Sequence, residues 1–556
     1  MKLDPIDVTA LFFFGSLILT LVYLTINQKI KSAFKKHWKI ILVLVLANIA
    51  LKIPYNSNFF DGLEYEDSYI YKASARAIHE GEHEFSKINP YYPTSCIYGS
   101  IKDCRMSAIF VTNFLGYPYI INLGYRLFGY QVPTSNIVSL LFSGVSIFFI
   151  FMIALLLLGQ ISFAIISSVV YMTIPIFNVY ASTSLTEPLS NAYLALVLLL
   201  FLVYFRTEQK IKHSKLGNVL GLFAVGFTMI FSILVKTTNI SLVFCLPIAG
   251  LISLIADKQP RNRNQINRLL ISLPVIFVVF LFSVLVLKFQ TAVEINKGDI
   301  GVNPFSFSFF KALAPIFIKS LFDFQWYLVY SAFFIAGIIF GFKRKNGIFP
   351  IVIFLFYFVL YTAHYRSYYF TRGIPATKDE TLRYMMSVIS VYSIIVGLGI
   401  YYLWQWLRTL AKSRIIRDSF VIILEIIILG SSLFFTFKCR TYFVEDEYNV
   451  RITPVLKTLE YLKDIDGVLV TSEHVLFQIY GNNDLKLIDF SSIGSQIPKD
   501  EIDSLIRSTN VYYLKTIERG GVDEERYRKQ YQYIDSKTKE DVFSLNNFKL
   551  YRLLRE

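Results

Sequence analysis

GLEYEDSYIYKASARAI, residues 62–78, follows an apolar run and sets three acids, Glu64, Glu66 and Asp67, just outside it. Ala73, Ala77 and Ile78 fit one face of a helix, which puts Asp67 near that helix's N-terminus, where the helix dipole favours an acid. A carboxylate at a membrane surface, in a chain otherwise built to dissolve in lipid, points to chemistry on a substrate that is itself anchored in lipid. The plain structural alternative is an N-cap or first-turn acid on a solvated face.

The chain around this stretch is 556 residues long, 54% hydrophobic and 17% aromatic, with a mean hydropathy of +0.50. Runs long enough, or nearly so, to cross about 30 Å of hydrocarbon lie at 8–27, 40–54, 134–158, 161–179, 185–205, 217–236, 240–256, 269–288, 326–342, 347–363, 384–404 and 419–437. The expectation is an α-helical polytopic membrane protein of about 12 spans. Run 8–27 reads as a retained span, since its positive charges follow the apolar stretch and no small-residue cleavage site appears.

The net charge of +15 is explained by where the charge sits. Five short loops, 29–39, 206–215, 257–268, 343–345 and 408–418, hold 20 Lys and Arg against three acids, so the positive-inside rule makes all five cytoplasmic. The basicity is topology, and no nucleic-acid partner is implied. Segments 55–133, 180–184, 289–325, 364–383 and everything after 438 then face the outer side. Within 55–133, the stretch 107–133 is aromatic but broken by Gly116, Pro118, Gly124 and Gly129, so it is expected to lie along the interface as short helices. Segment 289–325 has a similar aromatic character.

After the last span the composition changes: residues 446–556 carry 16 basic and 19 acidic residues. Helix-like TPVLKTLEYLKDI (453–465), strand-like GVLVTS (467–472), a short helix at HVLFQIYG (474–481), strand-like LKLIDF (485–490), helix-like KDEIDSLIRS (499–508) and strand-like VYYLKT (511–516) alternate. FSLNNFKLYRLL (543–554) reads as a terminal hairpin. This predicts a soluble α/β domain with a partly parallel sheet. The expected division is 1–39, an extra span and cytoplasmic loop; 40–437, the membrane domain; and 438–556, the α/β domain. No Gly-rich phosphate loop appears in it.

Several further residues can carry chemistry. Glu187 follows Thr186 at the outer start of a span; beside Pro188 it is either a helix-start residue or a second outer carboxylate, able to act with Asp67 as base and orienting partner or to hold a divalent cation. Lys236 lies between two apolar runs, and Arg366, Arg372, Arg383 and Tyr384 lie in or just after the 364–383 segment. Fixed cations near the membrane plane suit a phosphate leaving group; snorkelling toward headgroups is the bland reading. Glu425, inside an apolar run near the cytoplasmic boundary, reads as packing or topology. Cys245 reads as a packing residue, whereas Cys96 and Cys104 share the outer loop and can pair in an oxidising compartment. His79 and His83 make zinc conceivable, at a spacing that matches no standard site.

The order of these pieces carries a resemblance. An outer loop with Asp67, Tyr71, Ala75 and Arg76, then GYPYIINLGYRLFG (116–129), a span opening TEPLSN (186–191), LVKTTNISLV (234–243) and a late Arg383-Tyr384 together resemble the GT-C class of integral-membrane glycosyltransferases. The similarity is greatest to the protein O-mannosyltransferase and lipid A aminoarabinose transferase branch, over about residues 40–404. That branch usually reads D-E-x-x-Y-x-x-x-A-R in its first outer loop; here Ser68 stands where the second acid is common, with Glu66 or Glu64 nearby.

The resemblance implies transfer of a sugar from a polyprenyl-phosphate donor to a glycan, lipid or protein acceptor, with inversion at the anomeric carbon. It casts Asp67 as general base and Glu187 as the second-loop acid. Lys236, Arg383 and Tyr384 attend the donor phosphate, with Arg372 added by the reading of fixed outer cations, and Glu66, Tyr71 and Arg76 support. The expected location is a bacterial cytoplasmic membrane with the active site and the α/β domain outside. Two alternatives stand beside this one: a secondary transporter, disfavoured by acids that cluster outside rather than at the midplane, and a surface-polysaccharide polymerase or ligase.

Overall fold

From Thr186 to Phe205, every side chain of the helix Thr186–Arg206 is buried. Beyond its first turns its sequence is apolar on all sides, and such a helix is stable only where other helices surround it. The helix Gln265–Leu285 has only 28% of its most apolar window covered and sits at the periphery. The computed structural model describes residues 4–53, 66–81, 115–131, 133–181, 183–206, 214–256, 262–290, 306–323, 327, 329–344, 347–363, 385–410, 426–436, 438, 452–481, 486–490, 493, 497–516, 528–545 and 548–555. The chain divides into two units.

The first unit comprises Met1–Phe59, Asn113–Tyr117 and Asn136–Arg440. Among the described residues, seven of its helices are long and apolar enough to cross a membrane: Ile6–Ile26, Thr134–Leu158, Thr186–Arg206, Leu216–Val235, Thr237–Ala256, Gln265–Leu285 and Met386–Thr409. Four shorter apolar helices accompany them, at Ile161–Thr173, Tyr330–Lys343, Ile348–Ala363 and Ile426–Thr436. The chain is a polytopic helical membrane protein.

Three sequence expectations change in detail. Run 161–179 is broken at Ile174, whose backbone is extended (φ −74°, ψ 114°), because Pro175 bars the residue before it from helix. Segment 29–39, expected as a loop, forms the first turns of one helix, Gln28–Lys52. Asn27 caps it by accepting from Ile30 N–H at 3.2 Å, and its lysines carry no helix-breaking tendency. Segment 289–325 contains the helix Phe307–Leu321, capped by Ser306, and packs it on Ile348–Ala363 through Phe317 and Phe358.

Helices Tyr330–Arg344 and Ile389–Leu410 meet backbone to backbone: the Ile395 carbonyl fills the place of a side chain at Gly337, and the Phe333 carbonyl fills it at Gly399. Small residues allow this approach where lipid gives no hydrophobic push between helices.

The second unit comprises Phe60–Thr112, Pro118–Ser135 and Thr441–Glu556. Its strands are β1 (Gly467–Thr471), β2 (Lys486–Asp489), β3 (Asn510–Thr516), β4 (Lys539–Leu545) and β5 (Phe548–Leu553), in the order β2-β1-β3-β5-β4. β1 runs parallel to β2 and β3, while β5 is antiparallel to β3 and β4. The expected alternation and the terminal hairpin are both present, joined by a further helix, Arg528–Asp535.

Alternate strand residues bury both faces. Leu469, Leu487, Tyr512, Leu514 and Leu550 pack with the helices Thr453–Leu462 and His474–Tyr480. Val468, Val470, Ile488, Val511 and Leu553 pack with Lys499–Ser508 and with Ile534 of Arg528–Asp535. The helix Glu66–His79 joins the first of these layers: Ala73 is part of that core, alongside Val455 and Leu476.

Candidate active site

The first turns of the buried helix Thr186–Arg206 carry Glu187, Ser190 and Asn191, at i, i+3 and i+4 and therefore on one face. Each meets a different kind of partner. Glu187 Oε1 accepts from Lys236 Nζ at 3.0 Å; the carboxylate is 1% exposed and the lysine 15%. Ser190 Oγ accepts from Asn239 Nδ2 at 3.0 Å. Asn191 donates from Nδ2 to the Met386 carbonyl and accepts at Oδ1 from Ser390 N–H, 3.1 Å away.

Lys236 occupies a single extended position (φ −151°, ψ 118°) between the helix Ser214–Val235 and a 3-10 turn, Thr237–Ser241. The turn is held from inside. Asn239 also donates to the Ser232 carbonyl (3.1 Å) and Ser232 Oγ (2.9 Å), and accepts from the Tyr357 hydroxyl at 3.1 Å. One helical turn beyond Tyr357, the Tyr361 hydroxyl lies 3.0 Å from Thr238 Oγ1. On the other side of Lys236, Gly116 packs on the end of Ser214–Val235; a Cβ there would lie 2.6 Å from the Leu234 carbonyl carbon and oxygen.

This face is thus a polar knot in an apolar bundle, with one ion pair at its edge and neutral hydrogen bonds within. A buried pair of this kind keeps its charges where a lone ion would be costly. A second buried lysine, Lys52, donates to Asn48, which donates on to Ser143 at 3.1 Å, and lies 5.7 Å over the Phe177 ring. Among the described residues, the first unit joins Glu187 and Lys236, both picked from the sequence. Among the described residues no group of three His, Cys, Asp or Glu side chains is placed to hold a metal ion.

In the second unit, Glu66 and Asp67 open the helix Glu66–His79, so Asp67 stands in its first turn; their side chains lie outside the description. Tyr71 is buried in that helix, as is Lys72, whose ammonium burial pushes well below its usual pKa. Arg76 pairs with Glu80 at 2.9 Å, donates from Nη1 to the carbonyls of Ile479 (3.2 Å) and Gly481 (3.1 Å), and lies 5.2 Å over the Tyr130 ring. Burial raises the Tyr130 hydroxyl pKa, and that hydroxyl donates to Ile479 O at 2.9 Å. His79 stacks on Tyr130 and meets Tyr125 edge-on.

Glu64, His83, Cys96, Cys104, Arg366, Arg372, Arg383, Tyr384 and Glu425 lie outside the described residues. Sequence reasoning missed Ser190, Asn191, Asn239, Tyr357 and Tyr361. The signal was there: polar side chains three or four apart within apolar runs.

No protein-family model matches the sequence, and no curated protein matches it. Among solved structures, the chain is similar to ArnT from Cupriavidus metallidurans in the apo state, with a TM-score of 0.59 and 13% identity over 91% of this chain and 97% of that one. The same protein bound to undecaprenyl phosphate gives a TM-score of 0.58, again at 13% identity over 91% and 97%. The Archaeoglobus fulgidus oligosaccharyltransferase tethered to an acceptor peptide containing the NVT sequon gives 0.51 at 11% identity, over 93% of this chain and 74% of that one. At such identities the likeness is one of fold: this chain shares the fold of ArnT and of the archaeal oligosaccharyltransferase.

Proposed function

We propose that the protein transfers a sugar from a polyprenyl-phosphate donor to an acceptor at the outer face of a bacterial cytoplasmic membrane, with inversion. The observation that supports this best is the Glu187–Lys236 pair, a buried carboxylate on a half-shielded lysine, within a fold whose ArnT example holds undecaprenyl phosphate. Asp67 removes the proton from an acceptor hydroxyl or amine, and the freed lone pair attacks the anomeric carbon. The bond from that carbon to the phosphate oxygen breaks on the opposite face, and its electron pair leaves with the lipid phosphate.

Lys236 neutralises the charge that develops on the departing phosphate, where fixed donors act most strongly. Glu187 orients Lys236. Arg383 and Tyr384 complete the phosphate site by their place in the motif order, Arg372 adds a fixed outer cation beside them, and Tyr71 and Arg76 support the helix that bears Asp67. The acceptor is a glycan, lipid or protein. Purified protein incubated with radiolabelled polyprenyl-phosphate sugars and candidate acceptors tests the reading: Asp67→Asn abolishes transfer while expression and membrane insertion stay normal. Ordinary turnover by that variant would overturn the base assignment.

A further inference from the structure

Two contacts tie the start of the helix Thr186–Arg206 to the segment 236–241, and they are three residues apart on each partner. The inner contact, Ser190 with Asn239, is neutral and fully buried, and Asn239 is held further by Ser232 and Tyr357. The outer contact, Glu187 with Lys236, is a single charged hydrogen bond whose lysine keeps 15% exposure. A frame locked on the inside leaves its outer pair free to change partners without moving the helices.

We propose that Glu187 is an exchangeable counter-ion for Lys236, a carboxylate that occupies the lysine until the donor's phosphate displaces it. This rests on the reading of Lys236 as a phosphate ligand and adds what the lysine does beforehand. An ammonium has three N–H donors, and among the described residues Lys236 gives only the one to Glu187. A phosphate brings more charge and more acceptor oxygens than a carboxylate, so it wins the lysine once it arrives. Without the pair, the lysine would be a half-buried bare charge whenever the donor is absent.

The displaced carboxylate is not stranded. It stays in the first turn of Thr186–Arg206, where the helix dipole stabilises an anion, and the Thr186 hydroxyl stands 3.5 Å from Oε2. Glu187 therefore weakens donor binding while it keeps the lysine aimed. Its removal makes the phosphate bind more tightly and the turnover slower.

The test measures binding of a fluorescent short-chain polyprenyl phosphate, with the uncharged polyprenol as control, to the detergent-solubilised full chain. Glu187→Gln binds the phosphate about fivefold or more tightly than the wild type, the scale of a typical coupling between sites. Lys236→Gln binds it more weakly, the double variant matches Lys236→Gln, and no variant alters polyprenol binding. Glu187→Asp, which keeps the charge on a shorter arm, gives a smaller tightening and serves if the Gln variant fails to fold. Unchanged or weaker phosphate binding by the Glu187 variants, with loss in Lys236→Gln, overturns the exchange and leaves the phosphate role intact. Wild-type binding by Lys236→Gln overturns the phosphate role itself.

Discussion

Arg76 donates to the carbonyl oxygen of Ile479, 3.2 Å away and 403 residues later in the chain. With the second bond to Gly481 O and the Tyr130 hydroxyl on the same Ile479 carbonyl, three hydrogen bonds from two side chains close the end of the helix His474–Tyr480. Terminal helix carbonyls have no partner within their own helix, so this clamp replaces water. Arg76→Ala leaves the Gly481 carbonyl open and the Ile479 carbonyl to Tyr130 alone, at about 1–3 kcal/mol, and lowers the thermal midpoint of the full chain. Arg76→Lys recovers only part, because an ammonium lacks the guanidinium's fork. A wild-type midpoint for Arg76→Ala would remove the clamp from the account.

Asn191 holds the Met386 carbonyl with its amide and the Ser390 N–H with its oxygen. Asn191→Asp keeps the second contact but sets a carboxylate against a carbonyl in a fully buried site. It is expected to cost about 3–5 kcal/mol, against about 1–3 kcal/mol for Asn191→Ala. Denaturation in detergent ranks the two; equal losses would mean that the amide's donor side does not matter.

Gly116 and Gly129 separate two reasons for a glycine. At Gly116 a methyl group would meet the Leu234 backbone at 2.6 Å, next to the residue that precedes Lys236. At Gly129 the space is open, but φ is +82°. Gly129→Ala costs about 1–2 kcal/mol of backbone strain and leaves donor binding alone. Gly116→Ala costs about 1–3 kcal/mol of overpacking and also weakens binding of polyprenyl phosphate. Equal donor affinity in the two variants would argue against a Lys236 position set by this packing.

Two carboxylates of the sheet unit give it a pH dependence. Burial alone would raise Asp503, but the Lys537 ammonium and the Tyr533 hydroxyl, each 2.7 Å away, outweigh it and hold its pKa below the ordinary value. Asp535 is likewise lowered, against its burial, by Lys539 at 2.6 Å and Lys515 at 2.9 Å. A folded pKa below the unfolded one contributes stability above the unfolded value, and that stability is lost as pH falls through the folded value. The thermal midpoint of the sheet unit is therefore flat near neutrality and falls below about pH 4. Asp503→Asn with Asp535→Asn flattens that fall; an acid limb unchanged in the double variant would assign it to other groups.

The apolar runs and the strand-helix alternation after residue 452 were legible because both report burial, which a sequence records residue by residue. Charge placed the segment 29–39 beside a membrane face but said nothing of its backbone, which is helical. Glu187 and Lys236 stood out as ionised residues at the edges of apolar runs. Their pairing did not, since it depends on two helices meeting 49 residues apart. Asn239 and Tyr357 were hidden for the opposite reason: an amide or a phenol in an apolar run passes for packing until its partner is seen. The helix Glu66–His79 was legible as a helix. Its place in the sheet unit's core was not, because a face of Ala and Ile fits many apolar surfaces.

Ala73 completes a layer whose other members come from beyond residue 451. Ribosomes add roughly 5–20 residues per second, so the 403 residues between Arg76 and Ile479 correspond to roughly 20–80 s of synthesis. For that interval the early helix has no layer to join. A polypeptide that ends before residue 452 therefore lacks every other member of the layer that Ala73 joins.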